Sequence, residues 1–300
     1  MSIVSDHSAV ANRLPEPRAV LRLVKPVTWF PPMWAYLCGI VASGAGAASH
    51  WGLVLLGVVL AGPLVCGMSQ AANDWCDRHV DAINEPDRPI PSGRVPGRWG
   101  LWIALAMTAV SLLIATALGP WGFGATVLAI LAAWAYSAEP VRAKRSGFWG
   151  PGLCGLAYET LPWITGAAVV SATAPSWPVL IVAVLYGLGA HGIMTLNDFK
   201  AISGDRQLGL RSLPVVFGAD RAAQIACWVM ALPQIAVIAL LFHWDRPSHA
   251  MGVIFVLAVQ VNAMRKLLDD PEGYTPQYQG TGILFYISGM MIAAFALRGM

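Results

Sequence analysis

Apolar residues fall into nine runs of about 17–25, the length a helix needs to cross a bilayer hydrocarbon core. They lie near residues 27–48, 52–72, 99–118, 121–137, 149–170, 178–197, 222–242, 248–266 and 281–298, the fourth being the shortest. The pattern predicts an all-α, polytopic membrane protein, a bundle of nine transmembrane helices. Residues 1–26 read as an N-terminal segment and 27–300 as a single domain without long linkers. Prolines inside several runs (Pro31, Pro32, Pro63, Pro162, Pro233) predict kinks that neighbouring helices absorb.

Composition supports the membrane reading. The chain is 57% hydrophobic and 12% charged, against about 25% charged for a soluble domain. Nine crossings put the N-terminus and the connections after runs two, four, six and eight on one side. Seventeen of the nineteen Lys and Arg residues fall there; only Arg246 and Arg298 do not. Basic loops stay in the cytoplasm. No removable signal peptide is expected, because prolines interrupt the basic start. The five cysteines are scattered without zinc-like spacing, and a net charge of +3 gives no reason to expect nucleic acid. Phosphate-loop, dinucleotide-fold, zinc-protease and serine-hydrolase motifs are absent.

The candidate chemistry sits where two runs meet water. In Asn73–Arg94, a continuing helix puts Asp74, Asp77 and Asp81 within about 60° of arc. A second stretch, Asn197–Ser212, repeats the Asn-Asp start and places Asp198 and Asp205 seven apart. Acidic residues at a helix end often mark only the water boundary, but two matching clusters followed by arginines point further. Facing carboxylates repel unless a cation lies between them, and hard oxygen ligands suit Mg²⁺ held jointly with substrate phosphates. Five metal ligands follow: Asp74, Asp77, Asp81, Asp198 and Asp205. Arg78, Arg88, Lys144, Lys200 and Arg206, with Asn73 and Asn197, are the candidates for a diphosphate, whose charge must be neutralised as it leaves.

Two deeper residues stand apart. His191 lies seven before Asp198, about 10 Å further into the membrane on the same face. It reads either as a wall of an acceptor pocket or as a hydrogen bond to a neighbouring backbone. Glu159 lies near the middle of the fifth run, where a carboxyl must face the interior. Tyr158 beside it points about 100° away on a regular helix. Trp29, Phe30, Trp34, Trp149 and Trp163 read as interfacial or packing residues.

These stretches resemble the UbiA-type intramembrane prenyltransferases, whose first motif is N-D-x-x-D-x-x-x-D. The segments NEPDRPIPSGR and NDFKAISGDRQLGLRSLPVVFG, with the opening RLVKPVTWFPPMWAYLCG, are similar to the chlorophyll and bacteriochlorophyll synthase branch. The resemblance covers nearly the whole chain. It implies Mg²⁺-dependent transfer from geranylgeranyl or phytyl diphosphate to the propionate of a chlorophyllide-type tetrapyrrole. It further implies a bacterial inner, photosynthetic membrane with cytoplasmic active-site loops, and association with membrane lipid and other pigment-biosynthesis or photosystem-assembly proteins. Ala201 departs from the superfamily, many of whose members carry an aspartate there; the synthase branch shares the departure. The rival readings are a quinone-precursor or haem prenyltransferase and, from another class, a transporter or pigment-binding protein.

Overall fold

The computed structural model describes residues 13–207 and 209–300. Residues 1–12 of the N-terminal segment lie outside the described residues. The described chain is helical, and its one β-type pairing is an isolated parallel bridge between Ser146 and Arg211. In chain order the helices are α1 (Pro17–Leu23), α2 (Phe30–Ala42), α3 (Trp51–Asn84), α4 (Trp99–Ala115), α5 (Gly119–Ser137) and α6 (Trp149–Ser171). They continue as α7 (Trp177–Asn197), α8 (Ile202–Gln207), α9 (Leu213–Phe217), α10 (Ala219–His243), α11 (Pro247–Asp269) and α12 (Pro271–Ala296).

Seven helical stretches among the described residues are long and apolar enough to cross a membrane, against nine expected from the sequence. Two features account for the difference. The stretch Trp99–Ser137 counts as one, although Gly119, at φ +72°, divides it into α4 and α5. The two lie side by side, with the Trp134 indole N–H donating to Thr108 Oγ1 at 3.3 Å. The other is α2, which has only 13 residues. Its run was expected to continue to residue 48, but it stops where the Ser43 hydroxyl donates to the Ile40 carbonyl and Gly44 turns to φ +70°. At the other end of the chain, α12 begins ten residues before the apolar run, at Pro271, capped by Asp270 accepting from the Gly273 N–H.

The expected proline distortions take a specific form at Pro63 and Pro162, whereas Pro31 and Pro32 lie in the first turn of α2 and α10 stays α-helical across Pro233. Around Pro63, α3 carries a π-helical turn, Leu60–Cys66; another in α6, Leu156–Thr160, ends just before Pro162. A proline has no N–H to give and its ring crowds the carbonyl four residues back, so the ladder slips by one residue instead of breaking. Helices α2 and α6 approach until backbone meets backbone. A Cβ on Gly39 would stand 2.0 Å from the Trp163 carbonyl oxygen, and one on Gly166 would stand 2.1 Å from that of Tyr36. Small residues at such a crossing are what lets membrane helices pack without a hydrophobic driving force.

The larger core joins α2, α6, α7, α10, α11 and α12. Three of its buried polar side chains bond in a chain: Gln234 donates to Gln260 at 2.9 Å, and Gln260 to the Tyr278 hydroxyl at 3.0 Å. A second core holds the short α1, where Ala19 and Leu23 bury against Met68, Ala71 and Ala72 of α3. The described part of the N-terminal segment is therefore docked, and the Glu16 N–H donates to the Arg94 carbonyl at 3.1 Å.

Candidate active site

The first acidic motif is helical throughout, because α3 runs 34 residues from Trp51 to Asn84 without a break. At 1.5 Å per residue this is about 51 Å, well beyond a hydrocarbon core of roughly 30 Å. The last turns therefore project toward water and carry the carboxylates there. The second motif is irregular: α7 ends at Asn197, a 3₁₀ turn covers Asp198–Ala201, and α8 carries Asp205. The tighter turn breaks the regular heptad relation between the two carboxylates. The Asp205 carboxylate accepts from the Ser212 hydroxyl at 2.7 Å.

Each carboxylate of the first motif meets cations. Asp74, 1% exposed, accepts from Lys25 Nζ at 2.7 Å, and Arg88 stands 3.5 Å from the same oxygen. Its other oxygen, Oδ2, is buried without a partner among the described residues. Arg88 also bonds Asp81 at 2.9 Å and Glu85. Asp77 is clasped by Arg142 at 2.9 Å and by Lys144. Burial lowers the pKa of the Lys144 ammonium from its ordinary value, while the Asp77 carboxylate works the other way. For Arg88 burial also works downward, but the bond to Glu85 and the charges of Asp81 and Asp74 outweigh it and raise its pKa.

The expected residues thus divide. Asp74, Asp81 and Arg88 meet in one cluster and Asp77 with Lys144 in another. Asn73 donates to Ser137, and Asn197 accepts from Gln279 at 2.7 Å, each at the cavity wall. Arg78 turns back on its own helix, bonding the Trp75 carbonyl at 2.8 Å with its guanidinium over that indole. Lys200 and Arg206 are exposed, and neither forms an ion pair among the described residues. The five aspartates form no cluster of three or more at metal-holding distance among the described residues. His191 Nε2–H donates to the Phe148 carbonyl at 3.1 Å, and His191 is not among the residues lining the cavity below these clusters.

Two cations at these clusters were not among the expected site residues. Lys25 belongs to the N-terminal segment, 49 residues from Asp74, and no periodicity links them. Arg142 was one of three neighbouring basic residues. Both have positive φ, +45° and +38°, among four non-glycine residues that do so within the described residues. Such backbone conformations cost about 1–3 kcal/mol and tend to cluster at functional sites.

Below these clusters lies a cavity of about 530 Å³ between α2, α3, α5, α6, α7 and α12. Its walls are largely small or aliphatic: Ala61, Val65, Ala129, Ala132, Ala133, Ala157, Ala190 and Ile193. Its polar rim includes Ser69, Gln70, Asn73, Tyr136 and Asn197. Tyr158 and Glu159 both line it, although a regular helix would separate them by about 100°; the wider π-turn of α6 narrows that angle. Gln70 donates to the Tyr158 hydroxyl at 3.1 Å, whereas Glu159 Oε2 is buried without a partner among the described residues.

Fold and site together define a polytopic membrane protein with an apolar cavity below clustered carboxylates and cations. The family model described as the UbiA prenyltransferase family matches residues 32–296, and the chain belongs to that family. It is 66% identical over 287 residues, 96% of this chain and 95% of the relative, to the bacteriochlorophyll synthase 33 kDa chain of Cereibacter sphaeroides. It is 35% identical over 289 residues to the chloroplastic chlorophyll synthase of Oryza sativa, covering 92% of this chain and 76% of the relative. A solved UbiA homologue from Archaeoglobus fulgidus, bound to GPP and Mg²⁺, superposes with a TM-score of 0.70 at 21% identity. That match covers 94% of this chain and all of the other, and shows a shared fold.

Proposed function

We propose that this prenyltransferase esterifies the propionate carboxylate of (bacterio)chlorophyllide with a geranylgeranyl or phytyl chain taken from its diphosphate. The observation that carries the reading is the apolar cavity ending at clustered carboxylates and cations, in a chain 66% identical over nearly its full length to a bacteriochlorophyll synthase. The quinone-precursor and haem alternatives share the site but lack that relative.

The residues suit a magnesium ion. The donors are all oxygen; Asp74 keeps one buried oxygen unpartnered, and Asp198 and Asp205 form no ion pair with Lys or Arg among the described residues. Mg²⁺ needs only one or two carboxylates beside substrate phosphates and water, so the lack of a closed protein cage does not exclude it. Asp74, Asp77 and Asp81 from α3, with Asp198 and Asp205, would hold it, and bound there it neutralises the leaving diphosphate.

The chain's own groups supply the rest. Lys25, Arg88, Arg142 and Lys144 already sit at the carboxylates and are the cations that a diphosphate draws toward itself as its charge develops. The alanine-rich cavity takes the isoprenoid chain and excludes water, which would otherwise capture the allylic cation. The acceptor carboxylate is ionised at neutral pH, so no strong general base is required.

In this reading the chain crosses a bacterial photosynthetic inner membrane nine times, α2 and the α4–α5 hairpin included. The acidic motifs face the cytoplasm. The bridge between Ser146 and Arg211, with the Gly147 N–H donating to the Arg211 carbonyl at 2.8 Å, supports a common side for the loops that carry them. Cysteines introduced at Ser92 and Gly209 are expected to label from the cytoplasm, and one at Pro247 from outside. Membranes containing the protein, given radiolabelled geranylgeranyl diphosphate and a panel of tetrapyrrole, haem and quinone-precursor acceptors, are expected to label only the chlorophyllide. Label in a quinone or haem product instead would replace this reading.

A further inference from the structure

A cavity of about 530 Å³ is the size that surrounds one drug-sized ligand, within the usual range of about 300–1,000 Å³. On the proposed reaction two large apolar substrates must meet there, a twenty-carbon chain and a tetrapyrrole ring. If the chain fills the interior, the ring must lie at the opening. The opening can be located from exposure: among the lining residues only Val27, at 87%, and Phe30, at 45%, are exposed.

Phe30 is not a loose surface side chain. Its ring stacks on Trp34, with centroids 5.6 Å apart and planes 25° from parallel. Trp34 is anchored in turn, its indole N–H donating to the Ile287 carbonyl of α12 at 3.0 Å. Ile287, Ile283 and Gln279 of α12 line the same cavity. The pair is therefore an aromatic surface on α2, anchored to α12, at the mouth, with Phe30 exposed. Five residues before Phe30, Lys25 reaches Asp74. One short segment thus touches the anionic end of the site and frames its opening, so a ring lying on Phe30 has a short path along which a carboxylate arm enters.

We propose that Phe30, backed by Trp34, is the platform on which a flat conjugated acceptor ring stacks at the cavity mouth, making it a determinant of acceptor recognition. The inference rests on the esterification reading above. Offset stacking of aromatic rings adds about 0.5–1.5 kcal/mol beyond area burial, or roughly 2–12-fold in an equilibrium constant.

Steady-state kinetics on purified protein, varying chlorophyllide and geranylgeranyl diphosphate separately, test this. Phe30→Ala is expected to raise the acceptor KM about tenfold and leave the donor KM within twofold. Phe30→Leu keeps apolar bulk without an aromatic face and covers the case in which the alanine variant fails to fold; it is expected to raise the acceptor KM several-fold. Phe30→Trp is expected to keep or lower it. An unchanged acceptor KM in the leucine variant, or a parallel rise in both constants, overturns the platform while the esterification stands. Wild-type protein that esterifies no chlorophyllide at all removes the reaction and the platform with it.

Discussion

Replacing Lys25 with Met tests whether the N-terminal segment belongs to the active site. The perturbation is confined to one contact: Lys25 Nζ lies 2.7 Å from Asp74 Oδ1, and the methionine keeps most of the apolar stem. A hydrogen bond between charged groups contributes about 1.5–3 kcal/mol. Lys25 is 28% exposed and Asp74 retains Arg88 at 3.5 Å, so the loss is discounted to about 1–2 kcal/mol. If that interaction passes to the bound diphosphate, the donor KM rises about 5–30-fold. The acceptor KM is expected to change less than twofold. The assay is transfer of radiolabel from geranylgeranyl diphosphate over a donor titration, with thermal unfolding in detergent alongside. Lys25→Arg, which keeps the charge, should recover most of the loss. An unchanged donor KM in correctly folded Lys25→Met, or equal loss in the arginine variant, would refute the assignment.

Three further outcomes follow from the geometry. Asp77→Ala should abolish turnover while leaving membrane insertion intact, and removal of divalent metal with EDTA should do the same; turnover in metal-free enzyme contradicts both expectations. Gly39→Ala places a methyl group 2.0 Å from the Trp163 carbonyl oxygen, which as backbone cannot step aside; it should lower stability by about 1–3 kcal/mol, read as a fall in Tm. His191→Ala removes the bond to the Phe148 carbonyl and should cost about 1 kcal/mol of stability with neither KM altered; a raised acceptor KM would return His191 to the pocket.

The sequence carried the helices well because the signal was length and apolar content, and no proline after Pro63 interrupts α3 on its way through Asn73-Asp74. The turn at Gly44 and the early start of α12 at Pro271 escaped it. Hydrophobicity measures what lipid tolerates, not where the backbone bonds stop. The π-turn of α6 escaped for a related reason: a uniform 100° per residue parted Tyr158 from Glu159, whereas both lie in the π-turn and line the cavity. In the site, periodicity found the carboxylates because they share one helix. It had no means of finding Lys25, which is brought to Asp74 by tertiary packing of α1 against α3. Nor did it separate Lys144, clasped to Asp77, from the exposed Lys200 and Arg206, since all three are simply basic residues near a motif. Phe30 read as a packing residue because its stacking partner and the opening beside it exist only in the folded bundle.

The central claim is that an ionised carboxylate attacks the prenyl carbon as the diphosphate leaves, so that the bond broken is the prenyl C–O bond. Chlorophyllide labelled with ¹⁸O in both propionate oxygens, turned over with unlabelled geranylgeranyl diphosphate and analysed by mass spectrometry, tests it directly. The prenyl ester is expected to retain both labelled oxygens and the released diphosphate to contain none. An ester that has lost one ¹⁸O would mean substitution at the acyl carbon, and would contradict the account.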